Sequence, residues 1–362
     1  MKALQTLKSD FSKTRLVTIT EPSASNNEIK LKIERFSFTA NNITYAVAGD
    51  FLKYWDFFPA KNEDGSNASS IWGQIPVWGF AIVTESNSSS VAVGERFFGY
   101  YPPTEHCVML PTATNSATFI DGSPHRSHLP GGYNLYRKVG NQVDTLADNE
   151  QSLLYPLFAT AFSIVDLCAS HDWYGADEII ILSASSKTSI GLAYAINETE
   201  GAPKPIGVTS SRHKIAVESL GVYDQVCSYE EIEQLQNESK CCIVDMSGNK
   251  NLLCSLHEMY GENMMATLSV GATHWDSLGV NASIIQDRTH QFFAPSQIES
   301  MIKRLGPQSF SEQLGTFIQG SFLKTRSWLK FDELDSIESL NSVYPDVCAG
   351  KVDANTGVIV VL

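Results

Sequence analysis

The stretch from Asp177 to Gly191, Asp-Glu-Ile-Ile-Ile-Leu-Ser-Ala-Ser-Ser-Lys-Thr-Ser-Ile-Gly, restricts the possible folds more than any other part of the chain. Its four consecutive apolar residues, Ile179 to Leu182, predict a short strand buried on both faces of a parallel sheet. Ile190, Ala193 and Tyr194 then recur at helical spacing. The chain therefore leaves a strand, turns tightly through Ser183 to Ser189, and enters a helix whose first amides have no partner within it. Such a helix end attracts anions, above all phosphate.

The chain beyond Gly191 repeats the pattern. Helix to about Asn197, strand Pro205 to Thr209, helix Lys214 to Leu220, strand Gln225 to Cys227, strand Cys241 to Met246, helix Leu252 to Tyr260 and strand Met264 to Val270 alternate at lengths that predict a doubly wound parallel sheet. An amphipathic helix precedes the first strand, with Leu154, Leu157, Phe158, Ala161, Val165 and Cys168 on one face and Trp173-Tyr174-Gly175 as its stop. Ligands bind such sheets beyond the carboxyl ends of the strands, at the switch point beside the first strand.

The chain before this region reads as β-rich. Glu28 to Phe38 alternates apolar and charged residues, and Ile75 to Thr84 and Val91 to Tyr100 form a strand pair around the Ser/Asn-rich turn Glu85 to Ser90. Between them lie Asn41-Asn42-Ile43-Thr44-Tyr45 and Tyr54-Trp55-Asp56-Phe57-Phe58-Pro59. A helix burying Trp55, Phe57 and Phe58 accounts for the aromatics, whereas Asn41, Asn42 and Tyr45 need hydrogen-bond partners that a cleft between domains would supply. Pro111 to Gln151 shifts to Pro, Gly, Thr, Ser and His and reads as an extended surface excursion, with His125, Arg126 and His128 solvated in it. The tail predicts a helix through Ile298 to Leu305, a second from about Phe310 to Leu329, and a last strand, Val358 to Leu362, that pairs back with the first domain and makes it discontinuous. The expected division is 1–150 with 290–362, and 151–289.

At 362 residues two domains are the natural division. The formal net charge of −14 argues against a nucleic-acid surface, which needs clustered Lys and Arg to displace counterions. No run of eighteen apolar residues and no signal-peptide pattern occurs, so a cytoplasmic protein with no membrane partner is expected. The seven cysteines form no Cys-x-x-Cys pair and read as buried reduced thiols.

With these elements in place the chain resembles the medium-chain dehydrogenase/reductase superfamily, which implies an α/β fold of a GroES-like β-rich domain and a Rossmann domain. Val77-Trp78-Gly79-Phe80-Ala81-Ile82-Val83 stands where that superfamily has Pro-Gly-x-x-x-x-Gly-x-Val, and Val93-Gly94-Glu95-Arg96-Phe97 where it has Val-Gly-Asp-Arg-Val. Lys214 to Val226 is similar to its segment of lysine, apolar residues, Leu-Gly-Ala-Asp and Val. More closely, Thr39-Ala40-Asn41-Asn42-Ile43-Thr44-Tyr45-Ala46, Tyr54 to Pro59 and Ser185-Ser186-Lys187-Thr188 resemble the DUF2855 family, a name that supplies no reaction.

The resemblance departs at two places. The superfamily's zinc-binding Cys, Gly-His-Glu motif and four-Cys lobe are missing, which points to the zinc-free quinone and enoyl reductases and to no metal. The phosphate-binding turn lacks two of its glycines: Ser183, Ser185 and Ser186 occupy it and only Gly191 remains near the helix start, which implies either weaker pyrophosphate binding or replacement of backbone contacts by hydroxyls and the Lys187 charge. The resemblance also implies cofactor contact near Gly271 and a homodimer joined through the last strand of the nucleotide sheet, near Met264 to Val270.

Cofactor choice is argued from charge. An acid at the end of the second strand takes the ribose hydroxyls of NAD. Here Thr209-Ser210-Ser211-Arg212-His213-Lys214 has none, and Ser210, Arg212 and Lys214 suit a 2′-phosphate, so NADP(H) is expected. The leading expectation is a zinc-independent, NADP(H)-dependent oxidoreductase that reduces an activated carbonyl or conjugated double bond of a small molecule in the inter-domain cleft. Ser185, Ser186, Lys187 and Thr188 would hold pyrophosphate, and Tyr45, supported by Asn42, would be the proton donor. The alternative is an NADP(H)-binding sensor or scaffold without turnover. Phosphoryl transfer, suggested by Ser186-Lys187-Thr188, lacks the glycines of a P-loop, and no Gly-x-Ser-x-Gly elbow supports a serine hydrolase.

Overall fold

The computed structural model describes residues 1–235, 238–270 and 283–362. In chain order its elements are β1 (Lys2–Leu7), β2 (Thr14–Thr18), β3 (Ile29–Phe38), α1 (Ala40–Val47), β4 (Trp72–Gly73), β5 (Val77–Ser86), β6 (Arg96–Tyr101), β7 (His106–Met109), β8 (Pro111–Thr112), β9 (Thr118–Asp121), β10 (Leu135–Val139) and α2 (Thr145–Ser170). Then come β11 (Glu178–Leu182), α3 (Lys187–Asn197), β12 (Lys204–Thr209), α4 (Lys214–Glu218), β13 (Gln225–Ser228), β14 (Cys241–Asp245), α5 (Lys250–Tyr260), β15 (Met264–Val270) and β16 (Thr289–Phe292). The chain closes with α6 (Ala294–Leu305), α7 (Pro307–Thr325), β17 (Lys330–Leu334), α8 (Ile337–Cys348) and β18 (Thr356–Val361).

Two compact units result, Met1–Leu153 with Leu329–Leu362, and Leu154–Trp328. The first is discontinuous, but its second boundary falls at Leu329 rather than at 290. α6 and α7 belong with the parallel sheet because Leu314, Phe317 and Ile318 are buried, and Phe317 packs on Phe158 and Phe162 of the second unit.

In the first unit a nine-stranded sheet runs β17-β18-β3-β5-β6-β10-β9-β8 with β7 also on β3, beside a three-stranded sheet β2-β1-β4. β3 alternates buried Ile29, Leu31 and Ile33 with more exposed lysines, as its pattern predicts. β5 and β6 pair antiparallel, and their connection turns at Gly94 with φ +87°, a conformation that favours glycine. β18 lies antiparallel on β3 as expected, and β17, with no apolar alternation to announce it, adds parallel to its other side. The segment expected as a surface excursion instead carries β8, β9 and β10 and the start of α2. Gly99 of β6 leaves the room in which the Tyr136 ring lies, since a Cβ there would stand 2.2 Å from that ring.

The second unit holds one parallel sheet in the order β13-β12-β11-β14-β15-β16. This is the 3-2-1-4-5-6 order of a dinucleotide-binding fold, with its switch point between β11 and β14. Ile179 to Leu182 are buried throughout, as a central parallel strand requires. β15 pairs on both sides, with β14 and β16, so the strand expected at the sheet edge is interior and β16 takes that position. α2 is long and apolar enough to match a membrane span by length and composition, but here it is a core helix, with Leu153, Leu154, Phe158, Ala161, Ile164 and Cys168 buried. All seven cysteines are free thiols, six of them buried.

Candidate functional site

The turn after β11 keeps the shape of a glycine turn without the glycines. Ser183 adopts φ +58°, a left-handed conformation that side chains disfavour and that a glycine would take without strain. Tyr229 hydrogen-bonds Ser183, and the Ser186 amide donates to the Ser183 carbonyl at 2.8 Å. Ala184 is braced from two sides: its amide donates to the Val208 carbonyl at 3.0 Å, and its carbonyl accepts from the Tyr223 hydroxyl at 2.8 Å. Tyr223 reaches it across Gly207 of β12, where a Cβ would meet the Tyr223 ring at 3.0 Å. Gly191, one turn into α3, packs against Phe158, and a Cβ there would stand 2.4 Å from that ring.

The predicted phosphate-binding residues divide between the turn after β11, the first turn of α3 and the end of β12. Ser186 is the N-cap of α3, accepting from the Ser189 amide and donating to the Ser189 hydroxyl at 2.8 Å, so its oxygen serves the helix rather than a ligand. Ser185 points to the next turn instead, its hydroxyl 3.2 Å from His213 Nδ1. Lys187 and Thr188 occupy the first turn of α3 and are half-buried. Burial pushes the Lys187 ammonium down to about 8, because the charged form loses hydration. Gly271 lies outside the described residues.

At the end of β12, Ser210 joins the same cluster through a 3.2 Å contact with His213 Nδ1, and Arg212 donates from Nε to His213 Nε2 at 3.1 Å. Lys214 does not join it. Its ammonium donates to Glu231 at 2.7 Å, which raises its pKa and brings Glu231 down to about 2. Lys214 is thus ion-paired with the segment after β13. His213, a residue that no pattern in the sequence singles out, is the side chain that Ser185, Ser210 and Arg212 meet. At the end of β14 the buried Asp245 carboxylate accepts from the Ser247 amide and hydroxyl and from the Gly248 amide, which shapes the turn before α5.

In the first unit Tyr45 is buried in an aromatic cluster. Its ring centroid lies 4.7 Å from that of Tyr54, 5.7 Å from Tyr100 and 6.4 Å from Tyr133. Trp78 Nε1 donates to the Tyr45 oxygen at 3.3 Å and the Asn41 side chain also bonds it, while burial pushes the phenol pKa up. Tyr45 therefore stays a neutral hydroxyl. Asn42 does not support it. The Asn42 carbonyl oxygen accepts from the Thr39 amide at 2.8 Å in a capping box, and its amide donates to the Pro76 carbonyl at 2.9 Å. The aromatic run after it forms a single 3-10 turn, Tyr54–Asp56, with Trp55 and Phe57 buried as expected.

Arg126, expected in solvent, is 1% exposed. Its guanidinium donates to Asp121 at 2.8 Å, to the Tyr136 hydroxyl at 3.0 Å and to the Tyr133 carbonyl at 2.9 Å, and lies over the Phe57 and Phe58 rings. Burial alone would lower its pKa, but Tyr136 and Asp121 beside it carry it upward. The Tyr133 hydroxyl is 2.9 Å from that of Tyr54, so Arg126 anchors the segment that closes the tyrosine cluster. Neighbouring His125 lies 3.2 Å from the Phe57 carbonyl, and His128 3.4 Å from Asp56. Among the described residues no three His, Cys, Asp or Glu side chains gather as a metal site would require.

A mostly antiparallel β-rich unit built from the two ends of the chain, with a parallel sheet of dinucleotide-binding order formed by the residues between them in sequence, is an architecture that solved structures share. Solved structures agree at the level of fold. CurA from Vibrio vulnificus in complex with NADPH superposes with a TM-score of 0.62 at 11% identity, over 96% of this chain and 94% of that one. A putative NADPH:quinone reductase from Bacillus thuringiensis gives 0.59 at 13% identity, over 100% and 98%. A mycobacterial protein complexed with NADPH gives 0.59 at 14%, over 100% of both chains. Within that architecture the chain belongs to the DUF2855 family, described as proteins of unknown function, whose model matches residues 36–353. No curated protein matches the sequence.

Proposed function

We propose that this protein is a zinc-independent oxidoreductase that uses NADP(H) to reduce an activated carbonyl or conjugated double bond of a small molecule. The observation that carries the reading is the pair of turns at the carboxyl ends of β11 and β12. They bring Ser185, Ser210, Arg212 and His213 together, none of which carries a carboxylate, while the neighbouring Glu230 and Glu231 are engaged by Ser211 and Lys214. Donors without an acid suit a phosphate monoester and not a bare ribose diol. CurA and the mycobacterial protein, both solved in complex with NADPH, share the fold and support the same cofactor.

The residues present fit the group. The first turn of α3, with Thr188 and the Lys187 charge, would hold pyrophosphate at a helix N-terminus. Arg212, Ser210 and Ser185 would hold the 2′-phosphate. When bound, the reduced nicotinamide supplies a hydride. The chain must then stabilise and protonate the charge that develops on the substrate. Tyr45 is the proposed donor, since Trp78 and Asn41 occupy its oxygen and leave its proton to give.

The test is turnover. Purified protein with NADPH is offered quinones, enones and activated aldehydes, and loss of reduced nicotinamide is followed. Oxidation of NADPH dependent on one of these classes supports the reading. Tight binding of NADPH with no turnover across all of them would favour a sensor or scaffold, a reading that the strained Ser183 keeps in view.

A further inference from the structure

Among the described residues at the strand ends, His213 is the side chain that bonds to both turns. Its Nδ1 stands 3.2 Å from Ser185 Oγ, in the turn after β11, and 3.2 Å from Ser210 Oγ, in the turn after β12. Its Nε2 faces Arg212 Nε at 3.1 Å. A guanidinium only donates, so Nε2 is the acceptor of that bond. The ring proton therefore sits on Nδ1, directed at two hydroxyls that can each receive it. A doubly protonated ring in this arrangement would lose the Arg212 bond and face its charge.

A phosphate monoester reverses the preference. Its oxygens accept only, so the stable partner is an imidazolium that donates from Nε2 beside a guanidinium whose Nε then donates to the phosphate as well. Resting on the dinucleotide reading above, we propose that His213 is the specificity-determining residue for the 2′-phosphate of NADP(H), taking up one proton at Nε2 from the buffer as the phosphate displaces it from Arg212. NADP(H) affinity then weakens as pH rises through the neutral range, and NAD(H), with no phosphate at this position, shows no such dependence.

The charged neighbours among the described residues do not imitate this. On the same element Arg212 and Lys214 remain cationic, Lys214 through its bond to Glu231 and its contact with Glu218. From the segment after β13, Glu230 accepts from the Ser211 hydroxyl and Glu231 is held down to about 2, so both stay ionised. From the first turn of α3, Lys187, its pKa brought down by burial to about 8, is common to the parent and to any variant at His213. An imidazole ordinarily titrates near 6.5 and is the group of this cluster suited to the window from about pH 6 to 7.5.

The experiment is calorimetric titration of the full-length protein with NADP+ and with NAD+, in phosphate-free buffers of different ionisation enthalpy, for the parent and for His213→Asn. The asparagine keeps a polar group near Nδ1 but cannot ionise. The expected result is proton uptake on NADP+ binding by the parent and none by the variant. The ratio of parent to variant affinity for NADP+ should fall on the order of five- to tenfold between about pH 6 and 7.5. NAD+ affinity should be the same in both proteins, which also reports that the variant is folded. The phosphate's own second ionisation, near 6, is common to both proteins and cancels in the ratio. NADP+ preferred over NAD+ with no proton uptake, or with uptake that persists in His213→Asn, overturns the role of His213 and leaves the dinucleotide reading standing. Failure of both dinucleotides to bind removes the two together.

Discussion

Replacing Arg126 with Met tests the least expected feature of the first unit. The substitution roughly conserves volume and removes three hydrogen bonds from a residue that is 1% exposed, so solvent screens little of the loss. Deleting one partner of a buried ion pair costs about 3–5 kcal/mol. Here the Asp121 carboxylate keeps other donors, the Leu110 amide at 3.1 Å and the Ser123 amide and hydroxyl at 3.0 and 2.7 Å, which moves the figure toward the lower bound. The Tyr133 carbonyl loses its guanidinium donor and adds about 1 kcal/mol, while the Tyr136 hydroxyl still donates to the Tyr100 carbonyl. The total is about 3–4 kcal/mol. With a urea dependence of about 2 kcal/mol/M, the midpoint of this unit's transition should fall by about 1.5–2 M. Equilibrium urea unfolding followed by both fluorescence and circular dichroism reads it, with coincidence of the probes as the check on two-state behaviour. Adding Asp121→Asn should recover part of the loss, because the stranded charge goes with it, giving a coupling of at least about 1 kcal/mol. A midpoint unchanged by Arg126→Met, or strictly additive effects of the pair, would refute the buried ion pair as an anchor of the tyrosine cluster.

Three other positions carry predictions of their own. Gly191→Ala puts a Cβ against Phe158, so overpacking of about 1–3 kcal/mol should outweigh the gain of about 1 kcal/mol in helix propensity; thermal unfolding should show a lower midpoint, and Phe158→Leu in the same chain should restore it. Tyr45→Phe should leave NADPH binding intact and lower turnover about a hundredfold on a working substrate, as expected for loss of a positioned donor, with unchanged turnover excluding that role. The pKa of Lys187 is lowered from its ordinary value to about 8, so the folded protein sheds this proton before the unfolded chain does. This group's contribution to stability therefore rises as pH increases from about 8 to 10.5, and the same rise removes a positive charge from α3; binding of pyrophosphate-containing ligands should weaken over that range in the parent and not in Lys187→Met.

The parallel sheet is legible in the sequence because its strands advertise themselves. Ile179 to Leu182 can be buried only on both faces, and the helices between strands keep a 3.6-residue period. β16 is not legible, since its sequence Thr-His-Gln-Phe buries one residue of four, and an edge strand needs little apolar pattern to pair. Without it the sheet edge falls one strand too early, and α6 and α7 go to the wrong unit. Arg126 reads as solvated because a charged residue among Pro, Gly and Ser usually belongs to solvent. Its acceptors, Asp121 and Tyr136, come from two strands whose pairing is tertiary information. Asn42 does carry a local signal for its actual role, as Thr39 stands three residues before it at capping-box spacing. Gly207, a glycine inside a strand, likewise marks a close approach, which is that of Tyr223. Lys214 is diverted by a partner as distant in sequence as Glu231, which no local pattern announces.

The central claim is that the turns after β11 and β12 select a dinucleotide that carries a 2′-phosphate. Its most direct measurement is titration of the purified protein with NADPH and NADH, watching nicotinamide fluorescence, alongside Arg212→Ala. The account predicts that NADPH binds more tightly than NADH, and that Arg212→Ala weakens NADPH by about tenfold or more while NADH is unaffected. Equal affinity for the two cofactors, or no binding of either, would contradict it.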